Sequence, residues 1–192
     1  DSSNEFLILQ FMYLLIYQGV LLLINNRFLS NEVSEYGIIH KYFTYIYTLF
    51  LVYCAPFWTH IRSAIITENR PLYAKLRNNL KRALYLGLSL LILGVLSHNI
   101  VFDLWLGEVD INVRSVYLVA IMFGIMMINQ GNVVVLNAAG SVWVQIIAAL
   151  IGFAIVLVFY FAKASYDLFL FSLVLSNVPG LLLYWKKLKK AF

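Results

Sequence analysis

The chain has 192 residues, of which 62% are hydrophobic and 12% charged, with a mean hydropathy of +0.85 and a net charge of +5. A soluble globular domain carries roughly one charged residue in four, so these figures exclude soluble domains and describe a single membrane domain over residues 1–192. The lone cysteine, Cys54, excludes a disulfide framework or a cysteine metal site within one chain.

Apolar runs near 6–25, 38–58, 84–106, 115–137, 142–162 and 165–185 are each long enough to cross a bilayer as a helix. They predict an all-α, polytopic membrane protein of about six spans. The opening Asp1-Ser2-Ser3-Asn4-Glu5 is acidic and polar, unlike a cleaved signal. With no initial Met and a span starting almost at once, the segment is expected to be the C-terminal half of a longer chain.

In the first run, Gln10, Tyr17, Gln18 and Asn25 recur at seven- and eight-residue steps, with Leu14 and Leu21 between them. Polar groups are costly in lipid, so this face is expected to look into a bundle or cavity. The second run carries Lys41, Tyr42, Thr44, Tyr45, Tyr47, Thr48 and Tyr53. Of its tyrosines, Tyr45 is the cavity candidate. Pro56 removes a helix hydrogen bond and is expected to kink this run, and Trp58, Thr59, His60 and Arg62 then mark an interface.

Between the second and third runs, Pro71 suits a first helical turn, and Leu72, Leu76, Leu80 and Leu84 recur every four residues beside Tyr73. The other positions hold Lys75, Arg77, Lys81 and Arg82. This pattern predicts an amphipathic helix over about 70–83, lying along anionic headgroups ahead of the third span. Arg62, Lys75, Arg77, Lys81 and Arg82 are the candidates for meeting a diphosphate or a headgroup.

Gly87 with Gly94, and Ala148 with Gly152, offer small surfaces for close helix approach. His98, like His60, reads as a structural or interfacial histidine, and Asp103 as a residue near a helix end. Asn129, Gln130, Asn132 and Asn137 cluster around Gly131 in the fourth run. They serve either as interhelical hydrogen bonds or as a polar lining.

Topology follows the basic residues. Arg62, Arg70, Lys75, Arg77, Lys81 and Arg82 crowd one connection, and Lys186, Lys187, Lys189 and Lys190 follow the last run. Both places are expected to be cytoplasmic, as is the turn Ala138-Ala139-Gly140-Ser141. The opposite connections hold Arg27, Lys41, Arg114 and Lys163 with Glu32, Glu35, Glu108, Asp110 and Asp167. Both ends of the segment are then cytoplasmic, in a multi-pass plasma (inner) membrane protein.

No Gly-rich phosphate loop, paired histidines or second cysteine is present, and no catalytic residue, metal or cofactor is expected. Along the chain come Ile16-Tyr17-Gln18 and the acidic turn from Phe28 to Tyr36, then Ala55-Pro56-Phe57-Trp58-Thr59 and the basic stretch Leu76 to Arg82. Leu104-Trp105-Leu106-Gly107 and Val135-Leu136-Asn137-Ala138-Ala139-Gly140 follow. The order of these features resembles the polysaccharide and O-antigen flippases of the multidrug/oligosaccharidyl-lipid/polysaccharide exporter superfamily.

The resemblance implies one lobe of a two-lobe exporter fold. It implies alternating-access translocation of an undecaprenyl-diphosphate-linked oligosaccharide from the inner to the outer leaflet. Its partners would be that lipid-linked oligosaccharide, membrane lipids, the N-terminal lobe of the same chain and polysaccharide assembly proteins, but no nucleic acid. Asn, Gln and Tyr suit sugar hydroxyls, and Arg or Lys suits diphosphate. Gly19 and Val20 stand where many relatives carry an acidic residue, and Ser165 to Phe169 stands in place of a glycine-rich motif.

Two other readings stay open. A drug or cation exporter of the same superfamily would show acidic residues in its cavity, and a non-transporting membrane subunit would use its polar faces to bind a partner helix.

Overall fold

The structure, a computed structural model, describes residues 2–107 and 111–191, without the side chains of Ser2, Ser3, Glu5, Phe6, Leu15, Tyr17, Lys190 and Ala191. The cavity candidate Tyr17 and the connecting residues Glu108 and Asp110 therefore lie outside the described side chains. The described residues form seven helices: α1 (Ser2–Arg27), α2 (Ser30–Ile66), α3 (Arg70–Leu106), α4 (Val113–Ala138), α5 (Trp143–Phe161), α6 (Tyr166–Ser176) and α7 (Val178–Ala191). With α6 and α7 taken as one broken span, six are long and apolar enough to cross a membrane. The protein is an all-α, polytopic membrane protein.

Short polar signals set the helix ends. Asn69 accepts a hydrogen bond from the Leu72 backbone N–H at 3.0 Å, ahead of Pro71, and Asn112 does the same for Arg114 at 3.0 Å. Each satisfies one of the orphan donors of a first helical turn. Glu32 reaches back to accept from the Leu29 N–H at 3.0 Å. At the far end of α4, Gly140 adopts φ 70°, and Ser141 N–H bonds back to Leu136. That left-handed stop is one a glycine enters without steric cost.

α2 packs along both α3 and α4, while α4 also meets α6 and α7. α5 packs on α6 and α7 and carries α1 on its other side, whereas α1 touches α2 only lightly. The core is apolar and aromatic, with Phe43, Phe123, Phe169, Met127 and Leu136 fully enclosed. Glycine shapes two of the closest approaches. A Cβ on Gly94 would lie 2.5 Å from Ile46, and one on Gly152 would lie 2.2 Å from the Ser176 carbonyl oxygen. Tyr42 uses the first of these approaches to donate to the Gly94 carbonyl at 3.0 Å.

The helices are unequal in length. α5 has 19 residues, but α2 and α3 have 37 each, or about 55 Å at 1.5 Å per residue against a hydrocarbon core of about 30 Å. The Asn112 N–H donates to the Glu35 carboxylate at 3.4 Å, which ties the start of α2 to the start of α4. The excess length of the α2–α3 hairpin therefore projects at its other end, around Thr67–Asn69.

This geometry corrects the expectation for residues 70–83. They are helical but do not lie flat ahead of the third span, because α3 runs unbroken from Arg70 to Leu106. Leu76, Leu80 and Ala83 pack in one cluster with Ile61 and Ile65 of α2, so the apolar stripe serves the hairpin rather than lipid. α2 stays helical through Pro56.

All four tryptophans are exposed near helix ends. Trp58, Trp143 and Trp185 lie toward the end that carries the basic residues, and Trp105 lies at the other, beneath the Lys41 ammonium at 5.6 Å. That distribution is the aromatic belt of a bilayer protein.

Candidate functional site

The sixth span is interrupted at its middle. Asn177 falls halfway along the stretch Tyr166–Lys189 and separates α6 from α7. Pro179 lacks an N–H, so the carbonyl four residues earlier, on Leu175, loses its helical donor, and the proline ring crowds it. Polar side chains repair the break locally. Ser176 Oγ and Asn177 Nδ2 both donate to the Leu173 carbonyl, at 2.8 and 2.9 Å.

From α4, Asn129 Nδ2 donates to the Asn177 carbonyl at 2.8 Å. Gly180 makes this possible, since a Cβ there would lie 2.7 to 2.9 Å from the Asn129 amide. The other end of that amide, Oδ1, is buried and has no hydrogen-bond partner among the described residues.

Asn129 lines a cavity of about 260 Å³ with Gln130, Ser176, Asn177 and three tyrosines, Tyr13, Tyr47 and Tyr184. Tyr184 is almost fully enclosed, and its hydroxyl approaches that of Tyr13. A second recess of about 430 Å³ adjoins it, sharing Tyr13, Tyr47, Met126, Ala149, Ser176 and Asn177. The recess continues along Ile16, Val20 and Leu21 of α1, Met122 and Phe123 of α4, and Phe153 and Val156 of α5.

Its polar side is the α2 row His40, Thr44 and Thr48. Thr44 donates to the His40 carbonyl at 2.7 Å, and His40 packs between Tyr36 and Phe123 with ring centroids 5.2 and 5.3 Å away. The result is one cleft with a hydroxyl- and amide-lined part and an apolar part. Among the described residues, no Asp, Glu, Lys or Arg lines either part.

Of the residues singled out in the sequence, Asn129 and Gln130 meet in this cleft. Asn132 is half-buried on the same helix and does not line it. Asn137 is spent on helix packing, accepting from Nε2 of the fully buried Gln145 at 2.6 Å. Gln10, Gln18 and Asn25 are exposed. They form a stripe about a third of a turn around α1 from Tyr13, Ile16 and Val20, and so face away from the cleft. Tyr45 is 58% exposed and also points away, while its neighbours Thr44, Tyr47 and Thr48 line the recess.

Arg62, Lys75, Lys81 and Arg82 are exposed, with Arg77 half-buried, on the projecting hairpin, and none lines the cleft. Six of the fourteen basic residues lie between 60 and 82 against Glu68 alone, so the hairpin tip carries a charge equal to the net +5 of the chain. Arg27 has a structural role. Its guanidinium donates to the carbonyls of Phe159, Tyr160 and Ala164, and stacks against Phe28 and Tyr160 at 5.3 and 5.5 Å. A cation on the last carbonyls of α5 also complements the helix dipole. His98 is buried and donates from Nδ1 to the Val95 carbonyl at 2.6 Å, which accounts for it structurally.

Sequence reasoning missed Tyr13, Ser176, Asn177 and Tyr184 as lining residues. The signal for the break was present in Asn177-Val178-Pro179-Gly180, a polar residue and a proline inside an apolar run.

No known family model matches the chain, and no curated protein or solved structure is significantly similar to it.

Proposed function

We propose that the chain is a lobe of a membrane translocator that carries an undecaprenyl-diphosphate-linked oligosaccharide from one leaflet to the other. The observation that carries this reading is the uncharged cleft at the broken sixth span, where amides and tyrosine hydroxyls adjoin an apolar recess. Broken helices in transporters place backbone and side-chain polar groups at the bilayer midplane for substrate. Amides and hydroxyls that both donate and accept suit sugar hydroxyls, and tyrosine rings cover apolar sugar faces. A recess of 430 Å³ falls within the roughly 300–1,000 Å³ of small-ligand sites.

The absence of a carboxylate among the described lining residues weighs against a drug or cation exporter, which needs a counter-charge. The stripe of Gln10, Gln18 and Asn25 supports a second lobe, because three exposed amides on one face of a spanning helix call for a polar partner or a wet cavity. On this reading the basic end is cytoplasmic by the positive-inside rule, and the α2–α3 hairpin meets the diphosphate side of the substrate before translocation. No covalent step is involved.

The test is complementation. The complete open reading frame is placed in a bacterium lacking its own oligosaccharide flippase, and surface polysaccharide is followed together with inner-leaflet precursor. Restored surface polymer with falling precursor is the expected result. Continued accumulation despite membrane expression, across a panel of hosts with different repeat units, would overturn the assignment.

A further inference from the structure

A third concavity lies apart from the cleft, at the basic end, between the first turns of α5 and the second half of α7. It has a volume of about 200 Å³, with Val144, Ile147 and Leu183 as its floor and Lys186 and Lys187 as its rim. The positions explain the shape. Leu183, Lys186 and Lys187 share one face of α7 at three- and four-residue spacing, and Val144 and Ile147 share one face of α5. Ile147 and Leu183 lie a turn deeper toward the bilayer centre than Val144 and Lys187. The groove is therefore graded along the membrane normal, cationic at the mouth and apolar within.

Among the described residues, the lysines of this groove have no counter-charge. Neither α5 nor α7 contains an acidic residue, and no ion pair to Lys186 or Lys187 occurs among the described residues. The neighbouring Lys189 is engaged differently, its ammonium resting 3.8 Å from the Trp185 ring centroid. Trp143 and Trp185, exposed by 55% and 60% on the same two helices, stand at the level of the groove and set it at headgroup depth. Tyr184, which lines the cleft, points about a quarter turn away around α7, so the two sites are separate.

We propose that this groove seats one anionic glycerophospholipid, with its phosphate between the Lys186 and Lys187 ammonium groups and an acyl chain along Val144, Ile147 and Leu183. Charge complementarity selects the headgroup. Two unpaired cations above an apolar floor match a phosphate joined to a hydrocarbon chain, and a zwitterionic headgroup would bring its own cation against them. The ligand is a lipid of the surrounding leaflet, and the inference is independent of what the cleft transports.

The test uses the full natural chain, released from nanodiscs of phosphatidylcholine containing a minor fraction of phosphatidylglycerol, with retained lipid counted by native mass spectrometry. The wild type is expected to retain one phosphatidylglycerol in preference to phosphatidylcholine. K186Q/K187Q should retain it about thirtyfold more weakly, from the loss of two near-surface lysine contacts. K75Q/K81Q on the hairpin should retain it like the wild type. Leu183→Trp, which fills the floor and keeps both charges, should also lose it.

Equal retention of the two lipids, or unchanged retention in K186Q/K187Q, would overturn the proposal. So would displacement of the bound lipid by millimolar inorganic phosphate, which would mark a simple anion site. Unchanged helical content by circular dichroism keeps loss of binding distinct from loss of fold.

Discussion

The side-chain amide of Asn129 on α4 spans the interruption of the sixth span, donating to the backbone carbonyl of Asn177 at 2.8 Å while its own oxygen stays unpaired in the cleft. One residue thus both bridges the broken helix and leaves an acceptor free in the cleft. The two roles can be separated by experiment.

Asn129→Leu removes the hydrogen bond and the free acceptor. It should lower stability by about 1–2 kcal/mol and reduce surface polymer at least tenfold in the complementation assay. Gly180→Ala leaves Asn129 in place but would push a Cβ to within 2.7 Å of it, and should reproduce much of the same loss. Wild-type transport by both variants would remove Asn129 from the working cleft.

Arg27→Met should release the C-terminus of α5. Hydrogen bonds from a charged donor contribute about 1.5–3 kcal/mol, so a fall in thermal stability of that order is expected. Amide exchange should rise around Phe159–Ala164 and remain unchanged in α4. Arg27→Lys should rescue little of the loss, since an ammonium cannot reproduce the planar fork that reaches three carbonyls.

Gln18→Leu and Asn25→Leu alter exposed positions of this bundle and should leave its stability within about 0.5 kcal/mol. Transport should nevertheless fall more than with Leu22→Ala, whose parent side chain is 66% exposed, if the α1 stripe faces a second lobe across a wet cavity. Equal transport by all three would show that the stripe has no such role.

Topology is open to a direct measurement because Cys54, the one thiol of this sequence, is buried at 1% exposure and should give little background. A membrane-impermeant maleimide added to intact cells should label Lys163→Cys and spare Glu68→Cys. Both should label after the membrane is opened. Labelling of Glu68→Cys in intact cells would invert the orientation argued from the basic residues.

The six spans were legible because a bilayer demands about twenty apolar residues per crossing, and that demand writes itself along each helix separately. Packing surfaces made of small residues were legible for the same local reason, as Gly94 and Gly152 show. What one helix cannot reveal is which neighbour its face meets. The stripe of Leu76 and Leu80 is the same whether lipid or a helix covers it, and here it packs in the core that α3 shares with α2.

The amides of α1 share one face by helical spacing, but its direction relative to Tyr13 depends on where α5 lies. Asn129 and Gln130 were found because polar residues in a span stand out. Tyr13 and Tyr184 escaped because a tyrosine, with an apolar ring and one hydroxyl, stands out in an apolar run far less than an amide does.

The attachment of α1 has a mechanical consequence. This helix supplies one wall of the cleft through Tyr13, Ile16 and Val20, yet it rests mainly on α5 and is tied down by hydrogen bonds at Arg27, its last residue. Tyr13 stands fourteen residues up the helix, about 21 Å from that fastening at 1.5 Å per residue. Leu9, four residues beyond Tyr13, is buried with Val142 and Ile146 at the start of α5, so α1 is held to α5 near both ends. On the proposed reading, opening the cleft beside Tyr13 would therefore carry α1 and α5 together as one pair, while the Asn129 bridge to Asn177 stays intact.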